Sequence, residues 1–154
     1  MCTWPLPTRP PTSDPNTMKN TIRLIAASPD ASRAEGLNVI ELSNDTDATA
    51  LALQGVDRIE LNFPKFTDGR AYSQAYLLRR RLGFAGDIRA TGDVLVDQVA
   101  QMQRSGFSSA VLRADQNLFH AERQLAHFAS FYQGDAVHAQ PGFGTVDATH
   151  GAPA

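Results

Sequence analysis

Asp57-Arg58-Ile59-Glu60-Leu61-Asn62-Phe63, followed at once by Pro64, is the stretch that decides the architecture. Ile59, Leu61 and Phe63 alternate with polar residues, the period of two that sends successive side chains to opposite faces of a strand. Pro64 has no N–H to donate, so the ladder stops there. The period then changes. Ala71, Ala75, Leu78 and Leu82 stand at i, i+4, i+7 and i+11, one apolar stripe of a helix over 69–82. Thr67 or Asp68 is placed to cap its start, and Gly83 to stop it.

The same rhythm repeats on either side. Asp87 to Ala90 reads as a short strand, and Asp93 is placed to cap a helix whose buried stripe is Leu95, Val99 and Met102, ended by Gly106. Ser109 to Leu112 is the next strand. Asp115 or Asn117 opens a last helix with Leu118, Ala121, Leu125 and Phe128 on one face. Upstream, Val39 to Leu42 is strand-like, Ile22 to Ala26 suits an edge strand, and Asp47 to Leu53 suits a short helix. Alternating strands and helices of this length predict an α/β fold: right-handed βα units on a mainly parallel sheet, within a single domain. About four units are present, whereas a closed barrel needs eight and about 250 residues. The expectation is therefore an open sheet or a partial, TIM-like barrel, with a homo-oligomer as the alternative that would complete one.

Domain limits follow from composition. Residues 1–17 are punctuated by proline and read as a disordered leader, or Met18 is the true start; 18–134 form the domain; 135–154 lack periodicity and read as a disordered tail. The chain has 154 residues, 42% of them hydrophobic, and a formal net charge of -2. That balance offers nucleic acid no broad electrostatic attraction. No run of about eighteen apolar residues is present, so no membrane span is expected. Cys2 is the one cysteine, which excludes a disulfide framework and the four thiolates of an iron–sulfur cluster. His120, His127, His138 and His150 lack the spacing of a metal site. No G-x-G-x-x-G follows a strand, no phosphate-binding P-loop is present, and Tyr76 stands where a Tyr72-based dehydrogenase pair needs lysine. Neither a metal nor a cofactor is expected.

Ligands of parallel α/β folds collect at the carboxyl ends of the strands. Three polar connections meet there: Asn62 to Arg70, Thr91-Gly92-Asp93, and Arg113 to Asn117. Each enters a helix, whose free N–H groups favour anions. Lys65, Asp68, Arg70, Tyr72, Arg89, Asp93 and Arg113 are accordingly the candidate anion-binding residues. The competing reading is that the aspartates cap helices and the arginines pair with them. Arg89, if it lies within a strand, then demands a partner. Arg79-Arg80-Arg81 points in three directions on its helix, which reads as a solvated face with one residue turned inward to an ion pair; the alternative is a docking site for an acidic partner or for nucleic acid.

The run Phe63-Pro64-Lys65-Phe66-Thr67-Asp68-Gly69-Arg70-Ala71-Tyr72-Ser73, with Arg89-Ala90-Thr91-Gly92-Asp93-Val94, Asp97-Gln98 and Arg104-Ser105-Gly106-Phe107, resembles the domain of unknown function 934 family over roughly 39–131. The resemblance implies a bacterial cytoplasmic protein tied to assimilatory sulfite reduction. It implies a probable-oxidoreductase label and sulfite reductase as a partner. It also implies a cysteine before Gly106-Phe107, where this chain has Ser105, so no thiol role carries over. Three functions stand as expectations, the first an accessory protein of sulfite reduction without its own redox cofactor and the second, from the strand-end residues, a small enzyme acting on an anionic metabolite at that pocket. The third is a structural interaction module whose motif residues only cap helices.

Overall fold

In the computed structural model, which describes residues 21–31, 36–127 and 131–140, five strands form one fully parallel sheet. They are β1 (Arg23–Ile25), β2 (Val39–Leu42), β3 (Arg58–Phe63), β4 (Asp87–Gly92) and β5 (Ser109–Val111). Three helices accompany them: α1 (Arg70–Arg80), α2 (Val99–Ser105) and α3 (Leu118–His127). The leader, Met18, Phe128 and residues 141–154 of the expected tail lie outside the described residues. Among the described residues no helix is long and apolar enough to cross a membrane.

Spatial order is β1-β5-β4-β3-β2, so the sheet is open, with β1 and β2 as its edges. Strands β2 to β5 step in one direction, with α1 joining β3 to β4 and α2 joining β4 to β5. The step from β1 to β2 runs the whole width of the sheet in the opposite direction. A right-handed crossover then has to pass over the other face. The described part of that connection does so: Arg89 Nη1 of β4 donates to the Ala31 carbonyl at 2.6 Å.

The two faces differ in chemistry because the strands alternate. Ile59, Leu61 and Phe63 of β3, Ile88 and Ala90 of β4 and Ala110 of β5 are buried in one cluster with Ala71, Ala75 and Leu78 of α1 and Val99 and Met102 of α2. Arg58, Glu60 and Asn62 take the opposite parity on β3. They stand in register with Asp87, Arg89 and Thr91 of β4. A parallel sheet buried on both sides usually carries apolar residues on both; here one face is a charged network. Arg89 donates to Ser109 Oγ at 3.1 Å and has Asp87 and Glu60 at 3.6 and 3.9 Å. Arg58 Nε donates to Asp87 Oδ2 at 3.0 Å. Burial foremost pushes the Glu60 carboxyl up, against the pull of Arg89 and Arg58.

Two local outcomes differ from the periodicity. The stretch from Asp47 forms a single 3-10 turn, Ala48–Ala50, because the Asp47 carboxylate takes the Thr49 N–H two residues on. Arg79 does turn inward, as one of the three arginines must, but its hydrogen-bond partners are three carbonyls and the Ser108 hydroxyl rather than a carboxylate. Nε donates to Gly106 O at 2.8 Å, and Nη1 to Phe84 O and Gly86 O, each at 2.7 Å. It thereby ties the end of α1 to the turns that enter β4 and β5.

Candidate functional site

The carboxyl ends of β2 to β5 carry a rim built from two arginine–carboxylate clamps. In the first, Asp68 lies just before α1 and accepts the Arg70 N–H at 3.2 Å, Arg70 Nε at 3.1 Å and Arg70 Nη2 at 2.7 Å. Asn44, after β2, donates to Asp68 Oδ2 at 2.5 Å, and Asp45 takes Arg70 Nη1. The clamp thus sews the β2 exit to the start of α1. Hydrogen bonds from Arg70 hold the Asp68 carboxyl down at about 2, with Asn44 assisting. The same pairing raises the already high pKa of Arg70.

The second clamp joins β3, β4 and β5. Asp93 Oδ2 accepts the Phe66 N–H at 2.8 Å, and Asp93 Oδ1 accepts Arg113 Nη1 at 2.6 Å. Arg113 Nε and Nη2 grip both oxygens of Asp115 at 2.6 Å. The Phe66 hydrogen bond first, and Arg113 next, lower the Asp93 pKa, while Arg113 lowers that of Asp115. Asp93 therefore does not cap the next helix; that element begins with a 3-10 turn, Val96–Gln98, and Asp93 reaches back to the β3 loop.

Gly92 lets the two strands come this close. Its φ is +90°, and a Cβ there would lie 2.4 Å from the Phe63 carbonyl oxygen. That carbonyl accepts the Asp93 N–H at 2.8 Å, which aims the carboxylate at the Phe66 loop. Any residue with a side chain is both strained and obstructed at this position.

Five of the seven candidate residues, Lys65, Asp68, Arg70, Asp93 and Arg113, lie on this rim. The other two are placed elsewhere. Tyr72 is turned into the core, edge-on to Phe63 with ring centroids 5.2 Å apart, and beside Phe107 at 6.2 Å. Burial first, and Asp97 second, push its phenol up to about 12. Arg89 lies on the charged face below the rim, nearly buried. Arg70 and Arg113 meet carboxylates rather than open space, so each cation of the clamps is matched. A depression of about 470 Å³ opens beside the first clamp, lined by Glu41, Ser43, Asn44, Asn62 and Pro64.

Two residues that complete the rim stand in quoted stretches of the sequence but were not among the candidate anion-binding residues. Gln98 Nε2 donates to the Phe66 carbonyl at 2.7 Å, so with Asp93 both backbone polar groups of Phe66 are held. Gln116 Oε1 accepts the Val96 N–H at 3.1 Å. The charged face was missed as a unit, although its signal stood in the strands: Arg58, Glu60 and Asn62 share one parity, as do Asp87, Arg89 and Thr91. On the rim, Phe66 is 50% exposed and Phe119, in the first turn of α3, is 62% exposed. Among the described residues no group of three or more His, Cys, Asp or Glu side chains is arranged to hold a metal.

A family model described as "Bacterial protein of unknown function (DUF934)" matches residues 39–143, which takes in all three polar turns of the rim. No curated protein and no solved structure matches the chain.

Proposed function

The chain belongs to the DUF934 family of bacterial proteins, and from that premise we propose that it is an accessory protein of assimilatory sulfite reduction in the bacterial cytoplasm, docking on sulfite reductase through the strand-end rim. The link to sulfite reduction comes from the family resemblance. The docking role rests on one observation: Phe66, half exposed, rides on a loop whose N–H is held by Asp93 and whose carbonyl is held by Gln98.

Association costs entropy for every loop it orders, and a loop already fixed avoids most of that cost. Exposed aromatic and arginine side chains are the usual anchors of such contacts. Phe66 sits between the Asp68–Arg70 and Asp93–Arg113 clamps, an aromatic flanked by neutralised charge. Reduction of sulfite to sulfide passes several electrons through a redox centre. With one cysteine in the sequence, the chain cannot furnish the thiolates of an iron–sulfur cluster. In this reading the reductase holds that centre and the rim presents a rigid face to it.

The physiological test is growth of a deletion strain on sulfate, on sulfide and on cysteine. The reading requires poor growth on sulfate that sulfide and a plasmid-borne wild-type gene both restore. Normal growth on sulfate, or a defect that sulfide does not relieve, removes it.

A further inference from the structure

The opposite end of the sheet holds a second concavity that the rim does not involve. At the amino ends of the strands lies a cavity of about 700 Å³, walled by Arg23, Arg58, Arg79, Asp57, Asp87 and Ser108. That volume falls in the range of small-molecule sites.

Its hydrogen-bonding groups are unevenly matched. The carboxylates are occupied: Asp87 Oδ1 accepts the Ser108 and Ser109 hydroxyls at 2.8 and 2.9 Å, Asp87 Oδ2 accepts Arg58 Nε, and Asp57 Oδ2 accepts the Asn38 N–H at 2.9 Å. Arg79 is occupied by carbonyls and by Ser108 Oγ. The other two guanidiniums are not fully matched: Arg58 bonds Asp87 through Nε alone. The Arg58 side chain is 9% exposed, and its Nη1 is buried 3.8 Å from Glu60 Oε1, an ion pair in which neither atom makes a hydrogen bond. Arg58 Nη2 makes no hydrogen bond to a described residue, and Arg23 is exposed with no carboxylate partner among them.

Charge points the same way. Three guanidiniums face two carboxylates on the cavity wall, an excess of one positive charge. Behind the wall, Arg89 is made less basic by burial first and then by repulsion from Arg58, with Arg23 adding to it. A nearly buried guanidinium with unmatched donors is costly unless an acceptor fills the gap. Guanidinium forks match oxyanions in both charge and geometry.

We propose that this cavity binds a small oxyanion, either free or as the charged group of a metabolite, gripped between Arg58 and Arg23. The anion chemistry expected at the rim, where every arginine of the clamps already has a carboxylate, is better matched here. The site is independent of the docking role, and either can fail without the other.

The test is an amide NMR titration of the full chain in a zwitterionic buffer at low ionic strength. Inorganic sulfate and phosphate are one arm and glycerol phosphate the other. The amides of Arg58, Asp87 and Ser108 shift and saturate, and tighter binding of the ester than of the free ion identifies a metabolite group as the source. Arg23→Gln, an exposed change that leaves the spectrum native, weakens binding about tenfold, the loss of one charge-assisted contact. Arg58→Gln abolishes binding, and Lys65→Gln on the rim leaves it unchanged. Shifts that never saturate, or a wild-type affinity in Arg23→Gln, overturn the proposal.

Discussion

Gly92→Ala puts the geometry of the rim to a quantitative test. The residue sits at φ +90°, and its new Cβ meets the Phe63 carbonyl oxygen at 2.4 Å and Asn62 Oδ1 at 2.9 Å. The first obstacle is backbone, which cannot swing away like a side-chain tip. Left-handed backbone costs an L-residue about 1–2 kcal/mol. Relief of the contact requires β3 and β4 to part by roughly 0.8 Å, which stretches the 2.8 Å Asp93 N–H to Phe63 O hydrogen bond out of range. That bond contributes about 1 kcal/mol. Together the substitution destabilises the protein by about 2–3 kcal/mol, a large part of the about 5–15 kcal/mol of a typical domain. Circular-dichroism melting should show Tm falling by roughly 10 °C, and urea titration a lower midpoint with an unchanged slope. Amide exchange should accelerate at Asp93 and Phe66 before it does in the core. A Tm within about 2 °C of the parent would refute the close-approach reading of this glycine.

Three further outcomes follow from the packing. Arg79→Met keeps most of the aliphatic stem but strands the Gly106, Phe84 and Gly86 carbonyls, and chemical denaturation should report a loss of about 3 kcal/mol; less than about 1 kcal/mol would show those bonds to be dispensable. Tyr72→Phe should unfold within about 0.5 kcal/mol of the parent, whereas Tyr72→Ala, which empties the space beside Phe63 and Phe107, should cost about 3 kcal/mol or more; a large effect of the phenylalanine variant would give the phenol a role. Asp87 is subject to burial, which alone raises its pKa, but Ser108, Ser109, Arg89 and Arg58 outweigh it and hold the carboxyl below 3.8. A depressed folded-state value means that the group's stabilising contribution is complete above the unfolded value and is lost as pH falls through the folded one. Melting temperature should therefore drop as pH is lowered below about 3.8. Asp87→Asn should flatten part of that drop, and an identical pH profile in the variant would contradict the assignment.

Much of the fold was legible because it depends on periodicity. The switch from Ile59-Leu61-Phe63 to Ala71-Ala75-Leu78 marks a strand followed by a helix, and its repetition dictates parallel βα units. The position of β1 was less accessible: that it pairs with β5 rather than β2 is set by a crossover over the far face, and no local pattern encodes which edge a three-residue strand joins. The three polar turns were also readable, since strand–loop–helix order delivers them to one rim. Their internal wiring was not. Asp93 looked like a helix cap by spacing, yet its carboxylate serves Phe66, a contact across 27 residues that only the strand register creates. Asn44 and Gln98 act through similarly distant partners. Arg89 was foreseen as needing a partner if it lay in a strand; that the partner set is a whole charged face follows from the parity of Arg58, Glu60 and Asp87, which is meaningful only after the strands are aligned. Ala136, which lies in a stretch without periodicity, is 5% exposed and donates its N–H to Arg104 O at 2.9 Å.

The docking role of the rim is tested most directly by sedimentation velocity of the full chain mixed with purified sulfite reductase of the same bacterium. A faster boundary containing both proteins at micromolar concentration is predicted, lost in Phe66→Ser and retained in Tyr76→Ser, a substitution of comparable exposure on α1 outside the rim. Two boundaries that sediment independently at every concentration, or a complex indifferent to Phe66, would contradict the account.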